Sequence, residues 1–103
     1  MENKEKFYKI YELYNLFGKK NVKPIFYGAY KDYNLAHWFE LSNWDLEKGK
    51  GNVKIEYGAI TENDIKDLEK NGLKTGDKEG LEEVIRLIKK FNEKSKNDEE
   101  KIN

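Results

Sequence analysis

Apolar positions recur along this chain in two rhythms, and each rhythm predicts an element type. Phe7, Ile10, Tyr11, Tyr14 and Phe17 fall at steps of three and four, the spacing of one face of an amphipathic helix over residues 3–17. Asn3 is placed to cap its start, and Gly18 to end it in a left-handed conformation. Four aromatic side chains on one stripe point to a core face rather than a ligand box. Tyr8 and Leu16 fall off the stripe and offer a second buried face or a homodimer contact.

The rhythm then changes. Pro24 to Tyr30 reads as a strand whose first residue need not donate a hydrogen bond. Asp32 to Asn34 supplies turn chemistry. Residues 36–42 alternate, with His37, Phe39 and Leu41 on one side and Trp38, Glu40 and Ser42 on the other, which predicts a strand; Leu35, Trp38 and Phe39 also fit a helix. Asp45 to Asn52 is a glycine-bearing hairpin connection, and Val53, Ile55 and Tyr57 alternate with Lys54 and Glu56 as a half-buried strand does. The segments Ile25–Tyr30 and Ile55–Ile60 share I-x-Y-G-A. This is a coincidence, a vestigial repeat, or a sign that another backbone passes close to Gly28 and Gly58.

Helical spacing returns at the C-terminal end. Thr61 and Asp64 form a capping-box pair, Ile60 and Ile65 occupy the hydrophobic-staple positions, and Gly72 stops the helix, with Leu73 expected to fold back on Leu68. Asp77 caps a last helix reaching about Phe91 or Lys94, with Leu81, Val84, Ile85, Ile88 and Phe91 as its buried face. The expected order is α-β-β-β-α-α: an α+β domain over residues 1–94 in which a small three-stranded antiparallel sheet is packed by an N-terminal helix and two C-terminal helices. Residues 95–103 read as a polar, disordered tail.

Composition narrows the function classes. The chain has 103 residues, enough for one domain, and 39% of them are charged. Such a balance favours disorder, but 14% are aromatic, so a small core of large rings is expected. Residues 24–44 carry seven of the fourteen aromatics, together with the only histidine, His37, and the only proline, Pro24. Twenty basic and twenty acidic residues give zero net charge, hence no global pull toward nucleic acid or an anionic membrane. Arg86 is the only arginine, which leaves little bidentate recognition of phosphate or guanine. With no cysteine, disulfides and thiolate sites are excluded. No apolar run reaches the length of a membrane span and the start is not a signal peptide, so the expected setting is cytoplasmic.

Candidate chemistry is thin. His37 is the only side chain of ordinary pKa near neutrality. On a strand over 36–42, Glu40 would point away from it, which leaves no orienting partner. Ser42 and Ser95 sit in no nucleophile motif, GKGN is a turn rather than a phosphate loop, and no carboxylate spacing suits a metal. A non-enzymatic protein without cofactor or metal is therefore expected.

Two binding readings remain. One is DNA binding of helix-turn-helix or winged-helix type, with helices 61–71 and 78–94 and contacts through the 45–52 hairpin and Lys19, Lys20, Lys23, Lys48 and Lys50. Glu79, Glu82 and Glu83 oppose it, because they place carboxylates where a groove-reading helix would start. The other is docking on a partner protein through an aromatic-rich surface of Tyr30, Tyr33, Trp38 and Trp44 flanked by Lys31 and Glu40, since Trp and Tyr dominate interface hot spots. Lys, Asn, Ile, Tyr and Glu dominate the sequence, an AT-rich coding bias. In size and composition the chain resembles small phage or plasmid accessory proteins, including inhibitors of bacterial defence, and the resemblance implies such a role.

Overall fold

A computed structural model describes residues 5–15 and 17–102, with side chains described as far as Glu93. The expected cap Asn3 and dimer contact Leu16 lie outside the described residues. The chain is α+β, but its order is not the expected one. Strands β1 (Phe7–Tyr14) and β2 (Lys20–Tyr30) come first, followed by helix α1 (Tyr33–Ser42). The two-residue strands β3 (Trp44–Asp45) and β4 (Lys50–Gly51) and strand β5 (Val53–Gly58) precede helix α2 (Glu62–Asn71). Strand β6 (Thr75–Gly76) and helix α3 (Lys78–Ile102) complete it.

Three expectations are corrected: the N-terminal helix, the strand over 36–42 and the three-stranded antiparallel sheet. The predicted N-terminal helix is β1, and the predicted strand over 36–42 lies within α1. The sheet is four-stranded and mixed, in the order β5-β1-β2-β6, with β6 parallel to β2 and the other pairs antiparallel. β3 and β4 form a separate hairpin.

β1 is central and covered on both faces, so apolar residues occupy positions of both parities, as in any strand buried on two sides. Phe7 and Tyr11 join Phe26 and Ala29 of β2 beneath Ile65 and Leu68 of α2 and Val84 and Leu87 of α3. Ile10 joins Tyr30 and Val53 on the opposite face, beneath Ala36 and Phe39 of α1. Burying each large apolar side chain is worth roughly 1.5–3 kcal/mol relative to exposure. The run imitates helical spacing because Lys9, a polar letter at a core position, is also buried: its ammonium donates to the Asp64 carboxylate at 3.1 Å and to the Ala59 carbonyl at 2.9 Å. Aromatic and β-branched side chains fit a pleated surface well, which favours the strand further.

α1 forms because Asp32 caps it. The Asp32 carboxylate accepts from the Asn34 amide at 2.8 Å, and the Asp32 carbonyl accepts from the Ala36 amide at 3.2 Å. α2 carries the predicted capping box, in which Thr61 Oγ1 accepts from the Asp64 amide and Asp64 accepts from the Thr61 amide. Gly72 ends it at φ 89°, but the chain leaves in an extended conformation and Leu73 stays exposed, so the fold-back onto Leu68 is not made. In α3, Val84 and Leu87 are buried and Ile88 and Phe91 pack against them, while Ile85, expected inside, is exposed.

Gly28 meets the close approach expected of it. A Cβ there would lie 1.9 Å from the Thr75 carbonyl oxygen, so β6 can pair with β2 only because the side chain is missing. Gly58 faces no such neighbour. No helix among the described residues is long and apolar enough to cross a membrane.

Candidate functional site

α1 covers the second face of the sheet over Ile10, Tyr30 and Val53, so Tyr30 is not available as a docking anchor. The exposed rings lie on the outside of α1 instead. Its inner side buries Ala36 and packs Phe39 against Tyr27 and Tyr30, with ring centroids 6.0 and 6.3 Å apart. Its outer side shows Leu35, Trp38 and Leu41, at i, i+3 and i+6 on one stripe. All three are exposed, and Trp38 retains 69% of its accessible surface.

Trp44 opens β3, half-exposed, with its ring lying across Gly51 of β4. The C-terminal end of α1 is held to the hairpin by the Asn52 amide, which donates to the Asn43 carbonyl at 3.0 Å. The ridge and the hairpin are therefore joined by backbone hydrogen bonding.

A row of rings flanks the other end of α1. Tyr57 lies 4.6 Å from Tyr8, Tyr8 lies 5.2 Å from Tyr33, and Tyr33 stacks on His37 at 5.7 Å. His37 Nδ1 lies 3.2 Å from Glu40 Oε1. The strand reading separated these two residues; one helical turn brings them together. Among the described residues, no three of His, Asp and Glu cluster to hold a metal ion.

The predicted partner-binding residues divide. Tyr33, Trp38 and Trp44 are exposed, and Glu40 is tied to His37. Tyr30 retains only 8% exposure; it belongs to the core beneath α1 and its hydroxyl bonds to Thr75 Oγ1. The exposed Lys31 lies near the start of β1, its ammonium 4.9 Å from the Phe7 ring centre, while its amide donates to Asp77. Leu35, Leu41, Tyr8 and Tyr57 were missed. The i, i+3, i+6 spacing of Leu35, Trp38 and Leu41 would have found the ridge had Asp32 been recognised as a cap.

The lysines named as nucleic-acid contacts also divide. Lys23 reaches Asp67, 3.7 Å away. Lys20 pairs across from Tyr14, Lys50 places its ammonium 4.4 Å from the Tyr14 ring centre, and Lys48 Nζ lies 3.3 Å from where a Cβ on Gly18 would stand. Lys19 is on the same turn as Gly18. The Lys50 ammonium beside it, opposed by desolvation and helped by the charges of Lys20 and Lys48, holds the Tyr14 phenol below its ordinary pKa.

The opposite end of β1 is richer in acid, with Lys31 and Arg86 among the carboxylates. Glu5, Glu79, Glu82, Glu83 and Arg86 line one surface depression, and Arg86 forks onto Glu83 at 2.6 and 3.0 Å. α2 and α3 are joined through β6, which is part of the sheet, and not through the tight turn of a helix-turn-helix. Comparison with known protein families, curated sequences and solved structures finds no match.

Proposed function

We propose that this chain is a small non-enzymatic binding protein that docks the outer ridge of α1 onto a partner protein. The observation that carries the reading is the exposed stripe of Leu35, Trp38 and Leu41, flanked by Tyr33 and Trp44. Single exposed apolar residues are ordinary, but a contiguous group centred on tryptophan has the composition of an interface hot spot. The helix beneath it is fixed to the sheet by Ala36 and Phe39, so binding need not order the ridge first. The AT-rich composition and small size support a role as a phage or plasmid accessory protein or inhibitor acting on a host system.

The test compares wild type with Trp38→Ala and Leu35→Ser as immobilised baits in lysate of a low-GC bacterium. A protein retained by wild type and released by both variants, with all three folded by circular dichroism, supports the reading. Identical retention on all three ends it. Sedimentation of the free protein shows whether the partner is a second copy of this chain.

A further inference from the structure

Zero net charge hides a separation of charge along the strands. Glu5 precedes β1 at one end, with Glu79, Glu82 and Glu83 beside it. Tyr14 closes β1 at the other end, amid Lys20, Lys48 and Lys50. Nine residues of extended chain put these ends roughly 25–30 Å apart, several Debye lengths at physiological salt. A ligand at the lysine end therefore meets a local positive field that the acidic end does not cancel.

Two structured turns build that end. In the β1–β2 turn, Asn15 Oδ1 accepts from the Phe17 and Lys19 amides at 2.9 and 3.0 Å, and Gly18 takes φ 76°. In the β3–β4 hairpin, Asp45 Oδ1 accepts from the Glu47 and Lys48 amides at 3.0 and 3.1 Å, and Gly49 takes φ 66°. The turns meet where Lys48 Nζ lies 3.3 Å from the Cβ position of Gly18. Asp45, which accepts within its turn, and Glu47 are the two acids of the hairpin, and Lys19, Lys20, Lys48 and Lys50 outnumber them. The first turn displays Phe17, 88% exposed, next to the lysines.

We infer that the end formed by the β1–β2 turn and the β3–β4 hairpin binds single-stranded nucleic acid, with Lys19, Lys20, Lys48 and Lys50 on phosphates and Phe17 stacked on a base. Lysine ammonium groups suit a backbone that needs point charges rather than bidentate forks. An exposed phenyl ring suits an unstacked base, which a single strand offers and a duplex conceals. This surface adjoins the α1 ridge through Trp44 of the same hairpin, but none of its five named residues belongs to that ridge.

Fluorescence anisotropy with a labelled oligothymidylate, on the full chain, tests the inference. Binding is expected at low salt, with log K falling against log salt at a slope of about −2.8 for four phosphate contacts on a single strand. The double substitution Lys48→Glu/Lys50→Glu should weaken binding by about tenfold or more, because it reverses two of the four charges. Phe17→Ala should weaken binding by about fivefold or more with the slope unchanged, the mark of lost stacking rather than lost charge. Lys89→Glu/Lys90→Glu, on α3, is the charge-matched control and should leave affinity within about twofold of wild type. No binding at low salt overturns the inference, as does equal loss in the control. Equal affinity for a mixed-sequence duplex overturns the single-strand assignment. Binding to phosphatidylserine vesicles without binding to the oligonucleotide assigns this end to a lipid surface instead and likewise overturns it.

Discussion

The Lys9 ammonium and the Asp64 carboxylate meet at 3.1 Å between β1 and α2, both buried, and each is further bonded. Asp64 also accepts from the Tyr11 hydroxyl at 2.8 Å and the Thr61 amide at 2.9 Å, so one carboxylate closes the capping box and anchors the helix to the central strand. Burial, reinforced by the bond to Asp64, pushes the Tyr11 phenol above its ordinary pKa. Asp64→Ala leaves the ammonium and the phenol short of an acceptor and should cost about 3–5 kcal/mol. Lys9→Met leaves Asp64 two donors and should cost about 1–3 kcal/mol. Urea unfolding measures both, and the reverse ranking would show that the ammonium, not the carboxylate, holds this network together.

Asp77 joins α3 to the β2–α1 turn. It accepts from the amides of Gly80 at 2.8 Å, Lys31 at 2.9 Å and Asp32 at 3.0 Å. Desolvation raises its pKa, but the backbone donors of Asp32, Gly80 and Lys31 together outweigh it and leave the carboxyl below the usual carboxylate value. A depressed folded-state pKa means the stabilisation is fully present above the unfolded pKa and is lost as pH falls through the folded one. Asp77→Ala should cost about 1–2 kcal/mol near neutral pH. Asp77→Asn should flatten the acid limb of stability against pH; an unchanged limb would place the acid-sensitive group elsewhere.

Trp38 and Phe39 are neighbours with opposite duties. Trp38→Ala should change stability by no more than about 0.5 kcal/mol, as expected of an exposed site. Once a partner is in hand, the same change should cost about 2 kcal/mol or more of affinity. Phe39→Ala opens a space between Tyr27 and Tyr30 and should lower stability by about 3 kcal/mol. Calorimetry on both variants separates the roles. A Trp38→Ala protein that unfolds would make the ridge part of the core.

The two I-x-Y-G-A segments should respond differently to the same substitution. Gly28→Ala sets a methyl 1.9 Å from the Thr75 carbonyl oxygen and should cost about 3 kcal/mol or more, because backbone must move. At Gly58 the nearest atom to an added Cβ is Lys9 Cε at 3.9 Å, so Gly58→Ala should stay within about 1 kcal/mol of wild type. Thermal denaturation of the pair decides it. Equal effects would mean that β6 does not press on β2.

How much of this could be read from the sequence depends on where the deciding interaction lies. α2 was legible because cap, staple and stop are local signals within a few residues of one another. β1 was not, because the cue that hid its alternation, Lys9, is explained only by Asp64, 55 positions away. α1 was missed for a different reason: Asp32 was read as turn chemistry when it is an N-cap, and seven alternating letters then imitated a strand. Four of the five candidate lysines fall at one end because residues 45–52, expected to connect two strands of the main sheet, close on themselves as the separate β3–β4 hairpin. Its meeting with the β1–β2 turn follows from strand order, which no local pattern encodes.

The margins of the sheet are unequal. Beyond β6, the outer side of β2 is closed where Phe26 donates to Asp67 and Tyr27 accepts from Lys74. β5 is the terminal strand on the other side. Lys54 and Glu56, paired at 3.0 Å, place opposite charges along that rim. A hydrophobic intruder seeking to extend the sheet would have to strip both of water, so this rim guards the chain against fibrillar self-stacking. Neutralising both residues should turn a stable solution of the protein into a precipitating one.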